Sequence, residues 1–211
     1  MTPKNTDVGP KRRGRPFQSP EQAENAKARI ASSAFRLFRE EGYPAVSMRR
    51  LAQEAGCTVM TVYRYYPRKI DILRDLWSEV FQNLFESIVK ESSSIGQPVQ
   101  RLETVAQIYV NYWLDRREHY FLVFMSSGVS QSDVSVFVEN DAILKRFSIF
   151  RESLAAALPD VSEAELTLRS DLLLCTLHGI AHSLITISAY PWTAPKDLVR
   201  AATQSVISIR L

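Results

Sequence analysis

Apolar residues recur at helical spacing along most of this chain, and no stretch alternates with the two-residue period of a strand. Between Glu21 and Glu41, Ile30, Ala34 and Phe38 stand four apart, Ala31, Phe35 and Leu37 widen the stripe, and Gly42 ends the helix. Met48, Leu51, Ala52 and Ala55 fall at offsets of 0, 3, 4 and 7, which predicts a short second helix with Ser47 as its N-cap. Gly56 supplies a turn with positive φ. Thr58 is a fresh N-cap, and Val59 to Tyr65 predicts a helix of about two turns that stops before Pro67. From Ile70, the positions Leu73, Trp77, Val80, Phe81, Leu84 and Ile88 predict a long amphipathic helix, broken between Ser92 and Pro98. The next helix carries Leu102, Val105, Ile108, Tyr109 and Tyr112 to about Arg117. His119 to Met125 is nearly all apolar, which predicts burial on every side. After a loop from Ser126 to Asp133, a helix carries Val136, Phe137, Ile143, Leu144, Phe147, Phe150 and Leu154 until Pro159 and Asp160. Ser162-Glu163-Ala164-Glu165 is a capping box opening a helix to about Ala189. Tyr190-Pro191-Trp192 breaks it, and Ala194 to Ile209 predicts the last helix. The expected fold class is all-α: a small three-helix domain followed by a larger helical one.

The stretch Ser47–Lys69 has the form of a helix-turn-helix. Ala52 is small where two helices would cross, Gly56 marks the turn and Val62 fills the shared core. In that motif the second helix enters the DNA major groove while the first lies across the backbone. The plain alternative is an αα-corner in a helical enzyme. Charge weighs for DNA: residues 1–70 hold 14 Lys/Arg against 6 Asp/Glu, a net +8, whereas residues 71–211 hold 12 against 17, a net −5. Pro3, Gly9, Pro10, Gly14, Pro16 and Pro20 predict a flexible basic arm over residues 1–20. Within it, Arg13-Gly14-Arg15-Pro16 resembles an AT-hook, whose arginines, here Arg13 and Arg15, would lie in a narrow A·T-rich minor groove. A solvated basic tail is the alternative.

The segment AFRLFREEGYPAVSMRRLAQEAGCTVMTVYRYYPRKIDIL resembles the N-terminal DNA-binding domain of the tetracycline-repressor (TetR) family over roughly residues 25–75. Phe38, Gly42, Ala52, Ala55, Gly56, Thr61, Tyr63, Tyr66 and Lys69 are in register. Met60 occupies a slot often filled by glycine or alanine, which bears on base contacts. Tyr66 replaces the usual phenylalanine, a change expected to be neutral for packing. Arg49, Val59, Met60 and Arg64 are the candidate base contacts. Arg49 suits a bidentate bond to guanine and the apolar pair suits thymine methyls, and the resemblance supports an arginine reading a base from position 49. Ser47, Thr58, Thr61, Tyr63, Tyr65 and Lys69 are the candidate phosphate contacts, which fix register without reading sequence.

Beyond residue 75 the resemblance carries only the helical layout, and it implies that some aromatics line an inducer cavity. The candidates are Trp77, Phe81, Tyr109, Tyr112, Trp113, Phe121, Phe124, Phe147 and His178. Plain core is the other reading of most of them. A dimer is expected from the last two helices, with Leu173, Leu177, Gly179, Ile180 and Leu184 at the seam. His178 and His182 share a helical face without a third ligand nearby in sequence, so they read as polar lining rather than a metal site. No GxSxG, Walker loop, HExxH or CxxC occurs, which argues against an enzyme, and no cofactor is implied. Cys57 and Cys175 read as cytosolic thiols. The basic N-terminus lacks a signal-peptide run, and the apolar run Leu172–Ile187 is shorter than the roughly 20 residues a bilayer needs. The expectation is therefore a cytoplasmic homodimeric repressor that binds a DNA operator and is released by a small molecule, with no membrane partner. Its arm spans residues 1–20, its DNA-binding domain 21–69 and its effector-binding and dimerisation domain 70–211. Two alternatives remain: an architectural or protein-partnered DNA-binding factor without a small effector, and a small-molecule binding protein or enzyme using the aromatic cavity.

Overall fold

The apolar stripes of the sequence become helices in a computed structural model that describes residues 20–130 and 141–209. These residues form α1 (Pro20–Glu40), α2 (Met48–Glu54), α3 (Val59–Tyr65), α4 (Lys69–Ser92), α5 (Pro98–Asp115), α6 (Arg117–Phe124), α7 (Asp141–Ala157), α8 (Glu163–Thr186) and α9 (Pro195–Ser208), with no strand among them. Arg13 and Arg15 of the arm, and Val136 and Phe137, lie outside the described residues.

α1 buries Ala26, Ile30, Ala34, Leu37 and Phe38 along one stripe, and packs against α2 and α4. α2 and α3 pack on each other, so α1–α3 and the start of α4 enclose a small core with Leu51, Val62 and Ile70 at its centre; this is called the head below. α4 is 24 residues long, about 36 Å at 1.5 Å per residue, and carries the chain from the head into the larger body. In the body α5 is the hub, packed against α4, α7, α8 and α9. Trp113, Tyr120, Phe150 and Leu154 are fully buried around it.

Three expectations change. His119–Met125 is not buried on every side. α6 is two turns long and lies on the surface, with Tyr120 and Leu122 inward and Phe121, Phe124 and Met125 exposed. A helix that packs by one face against its neighbours cannot hide an apolar run spanning its whole circumference. α8 stops at Thr186, short of Ala189, with Ile187 as its cap. Leu144, counted with the apolar face of α7, is exposed.

Candidate nucleic-acid interface

Each end of the short helices in the head is closed by a specific bond. Ser47 Oγ accepts from Arg50 N at 3.1 Å at the start of α2. At its end Cys57 N donates to Ala52 O at 2.9 Å and Gly56 N to Gln53 O at 3.3 Å, with Gly56 at φ +61°, which together make a Schellman turn. Thr58 Oγ1 then accepts from Thr61 N at 3.1 Å to open α3, one tight turn after α2 ends. Ion pairs brace the outside: Arg50 meets Glu41 at 2.9 Å and Glu54 at 2.6 Å, and Arg36 also pairs with Glu54.

This frame leaves one face of α3 projecting. Met60 is 76% exposed and Tyr63 46%. Arg64 is exposed, as is Arg49 on α2, while Thr61 and Tyr65 are half-buried. Val59 packs partly against the core, so of the expected base contacts it is the least available. The hydroxyls of Ser47 and Thr58 serve the caps, and Thr58 Oγ1 and Thr61 Oγ1 lie 2.8 Å apart, so one of that pair gives its proton to the other. A hydroxyl that accepts from a backbone N–H keeps its own proton to donate.

Lys69 is turned inward, away from the phosphate contact expected of it. Its Nζ donates to the carbonyls of Tyr43 at 2.6 Å, Val46 at 2.9 Å and Pro44 at 3.3 Å, and sits 4.3 Å from the centre of the Tyr43 ring. An ammonium has three protons, and all three are engaged. Burial holds its pKa below the usual lysine value. The residue ties the α1–α2 loop to the first turn of α4. Its spacing from the motif gave no sign of this role, because the acceptors are backbone atoms more than 20 residues away.

Tyr66 also does more than fill a phenylalanine's place. Its hydroxyl donates to Asp75 Oδ2 at 2.6 Å, and Lys27 pairs with the same carboxylate at 3.0 Å, so α1, the end of α3 and α4 meet at one point. Burial, followed by the hydrogen bond to Asp75, raises the Tyr66 pKa well above the ordinary phenol range. Further contacts join head to body. Phe35 meets the His119 ring edge-on with centroids 5.4 Å apart. Trp77 Nε1 donates to Leu122 O at 3.0 Å, locking α4 to α6. Gly128, at φ +75°, lies so near the head loop that an added Cβ would stand 2.8 Å from Pro44 Cγ.

In the body the expected lining aromatics are in contact with one another. Phe81 meets Trp113 at 6.0 Å, Phe124 at 6.5 Å and Phe147 at 5.7 Å, while Trp113 meets Phe124 at 5.1 Å and Tyr109 at 6.1 Å. Trp77, Phe81, Tyr109, Tyr112 and Trp113 are buried, Phe147 and His178 half-buried, and Phe121 and Phe124 exposed. Tyr112 donates to Val80 O at 3.0 Å and faces His119 Nδ1 at 3.2 Å; burial pushes its pKa up to about 12. Tyr120 joins the two histidines of α8, with its hydroxyl 2.8 Å from His182 Nδ1 and 3.4 Å from His178 Nε2. Burial lowers the pKa values of His119 and His178, the latter helped by His182. No group of three potential metal ligands occurs among the described residues.

The expected dimer seam divides in two. Leu173 and Leu177 are fully buried inside the chain and present nothing to a second copy, because the chain's own core already holds them. Ile180 and Leu184 are half-buried. Leu168, Leu172, Cys175 and Gly179 form the exposed stripe, spaced 4, 3 and 4 residues apart on one face. Arg169, buried beside that stripe, pairs with Glu165 and donates to the carbonyls of Val206, Ile207 and Ile209, which holds the end of α9 on α8. No described helix is long and apolar enough to cross a membrane.

Residues 30–76 match the family model described as bacterial regulatory proteins, tetR family. Among curated proteins, the chain is 26% identical to the HTH-type transcriptional regulator HbdR of Aromatoleum sp. (strain CIB), over 57% of this chain and 53% of that protein. It is 33% identical to the HTH-type transcriptional repressor KstR of Mycolicibacterium smegmatis, over 36% of this chain and 37% of that protein. These matches thus span about half or less of the relatives' length. The fold extends further: the crystal structure of the TetR family transcriptional regulator PfmR from Thermus thermophilus superposes with a TM-score of 0.61 at 18% identity, covering 85% of this chain and 97% of that one.

Proposed function

We propose, because residues 30–76 match the family model of bacterial regulatory proteins, tetR family, that the chain is a homodimeric repressor of that family released from its operator by a small molecule. One observation carries the reading: Arg49, Met60, Tyr63 and Arg64 project from a head whose helix ends and flanks are fixed by caps and ion pairs. In this reading α3 lies in the major groove, Arg49 and Arg64 reach guanine edges and Met60 meets a thymine methyl. Ser47, Thr58, Thr61, Tyr63 and Tyr65 hold phosphates, and Lys69 is removed from that set. Arg13 and Arg15 extend the contact into a neighbouring minor groove.

A second copy packs on the Leu168–Leu172–Cys175–Gly179 stripe, where a side chain at Gly179 would meet open space in the single chain. The body, residues 70–211, holds the effector. Phe81 and Phe124 stand on α4 and α6, both of which touch α1 of the head, so parting these rings to admit a ligand would move a helix that the head rests on. A ligand that favours the separated arrangement therefore disfavours DNA, by the reciprocity that links two sites.

The test is selection of binding sites from random DNA with the purified chain, followed by the same selection with Arg49→Ala. A palindromic, salt-sensitive site is expected. The variant should lose about 1–3 kcal/mol on it and relax preference at one base pair per half-site. An unchanged preference would move readout to α3. Absence of sequence-selective binding would leave a small-molecule binding protein, and selective binding that no ligand releases would leave an architectural factor.

A further inference from the structure

A second feature of the body was not visible in the sequence. An open groove of about 500 Å³ runs between the far end of α4, the start of α5 and α7. That volume lies within the range of small-molecule sites. Its floor is apolar, formed by the buried Phe85 and Ile149, with the exposed Val89 beside them, and the lining carries Lys90, Arg101, Lys145 and Arg146. Two carboxylates share the lining, but each is met by a neutral donor on its own helix: Gln82 Nε2 lies 2.8 Å from Glu86, and Ser148 Oγ 2.6 Å from Glu152. Among the described residues Lys90, Arg101 and Arg146 form no ion pair, and Arg101 Nε is buried without a hydrogen-bond partner.

The groove is also in the wrong place for DNA. Phe85 to Lys90 lie 16 to 21 residues beyond the start of α4, about 24–32 Å from the head along the helix axis. Directly behind the floor lie the rings of the body, since Phe85 meets Phe147 at 4.9 Å and Phe81 at 6.4 Å.

We infer that this groove binds an amphiphile carrying a phosphate monoester, its head on Arg101 and Lys90 and its apolar part against Phe85. Lys90, Arg101 and Arg146 thus face the groove without an ion pair among the described residues. A phosphate monoester, with a charge of about −1.5 to −2 near neutrality and three oxygens, can meet more than one of these cations, which a single carboxylate does less well. The guanidinium fork of Arg101 suits phosphate oxygens in particular. Treating the amphiphile as the effector rests on the repressor reading; its binding does not.

The test is calorimetric titration of the full chain without DNA, using decyl phosphate below its micelle-forming concentration. Saturable binding is expected, with decanol, inorganic phosphate and undecanoate each weaker by about tenfold or more. Arg101→Gln and Lys90→Gln should each weaken decyl phosphate by a similar factor. Lys90 is exposed, so its variant keeps the fold if the arginine variant does not. Equal binding of decanol or undecanoate, or wild-type affinity in a folded Lys90→Gln variant, would overturn the assignment. Operator release is then measured separately. Decyl phosphate that binds through Lys90 but leaves the operator occupied upholds the groove and removes this ligand as effector. Release by some other ligand with no decyl phosphate binding removes the groove and upholds the repressor reading.

Discussion

The head and the body are held together by different forces. In the head the decisive contacts are directional: two side-chain caps, a Schellman turn, the Arg36–Arg50–Glu41–Glu54 network and the three carbonyl bonds of Lys69. In the middle of the body they are mainly ring against ring, with centroids about 5–6.5 Å apart, beside hydrogen bonds such as those of Tyr112 to Val80 O and Trp77 to Leu122 O. Directional bonds specify where a side chain such as Arg49 points, which suits presentation of a fixed pattern. Packed rings specify volume more than orientation, and related packings can differ by little energy. The body borrows the head's device at its edge, where Arg169 gathers the carbonyls at the end of α9.

The contrast can be broken most sharply at Trp113, which is fully buried. Trp113→Ala should destabilise the chain by about 3–5 kcal/mol in urea denaturation. At low denaturant it should still bind operator, because no frame contact of the head involves this ring. Loss of operator binding by the folded variant would mean that the two regions are not separable.

Lys69→Gln probes the other side. It should cost about 1–3 kcal/mol by leaving carbonyls of the α1–α2 loop short of donors. It should also weaken operator binding by misplacing α2, with no loss of salt sensitivity. A smaller salt slope would return Lys69 to the phosphates.

The smallest effect separates the regions by pH. All three histidines of the chain lie in the body. Burial depresses the pKa values of His119 and His178 in the folded state. The unfolded chain therefore takes up protons below about pH 6.5 that the folded one resists, and stability falls as pH drops through that value. Melting temperatures at about pH 7.5 and about pH 5.5 should show this fall, and a His119→Gln, His178→Gln double variant should show less of it. An equal fall in the double variant would place the titrating groups elsewhere.

Much of this layout was legible from spacing alone. α3 occupies Val59–Tyr65 as its cap and the following proline dictated, and Gly56 takes the positive φ required of it. The exposed face of α3 follows from the same period. What escaped were contacts made across long sequence separations. Lys69 reads in the sequence as a phosphate contact and nothing singles out Arg169, since nothing local marks a distant carbonyl as the acceptor of either. Tyr66 differs from phenylalanine by one oxygen, and its partner, Asp75, lies on the next helix. Leu173 and Leu177 were misplaced because α8 is apolar on more than one side, so composition cannot tell a face meeting its own chain from one left for a second copy.

The bond from Trp77 Nε1 to Leu122 O has a spectroscopic consequence. The chain has three tryptophans, at positions 77, 113 and 192, and none precedes residue 77. Intrinsic emission excited at the indole band therefore reports on the body alone, and docking of DNA on a rigid head would be optically silent. Trp77 is the exception in position: it belongs to the helix that begins in the head, and its indole proton rests on α6. A displacement of α6 that frees this proton exposes the ring to a more polar surrounding and shifts its emission to the red. The chain thus carries its own reporter at the place where the repressor reading requires movement, with no label to attach.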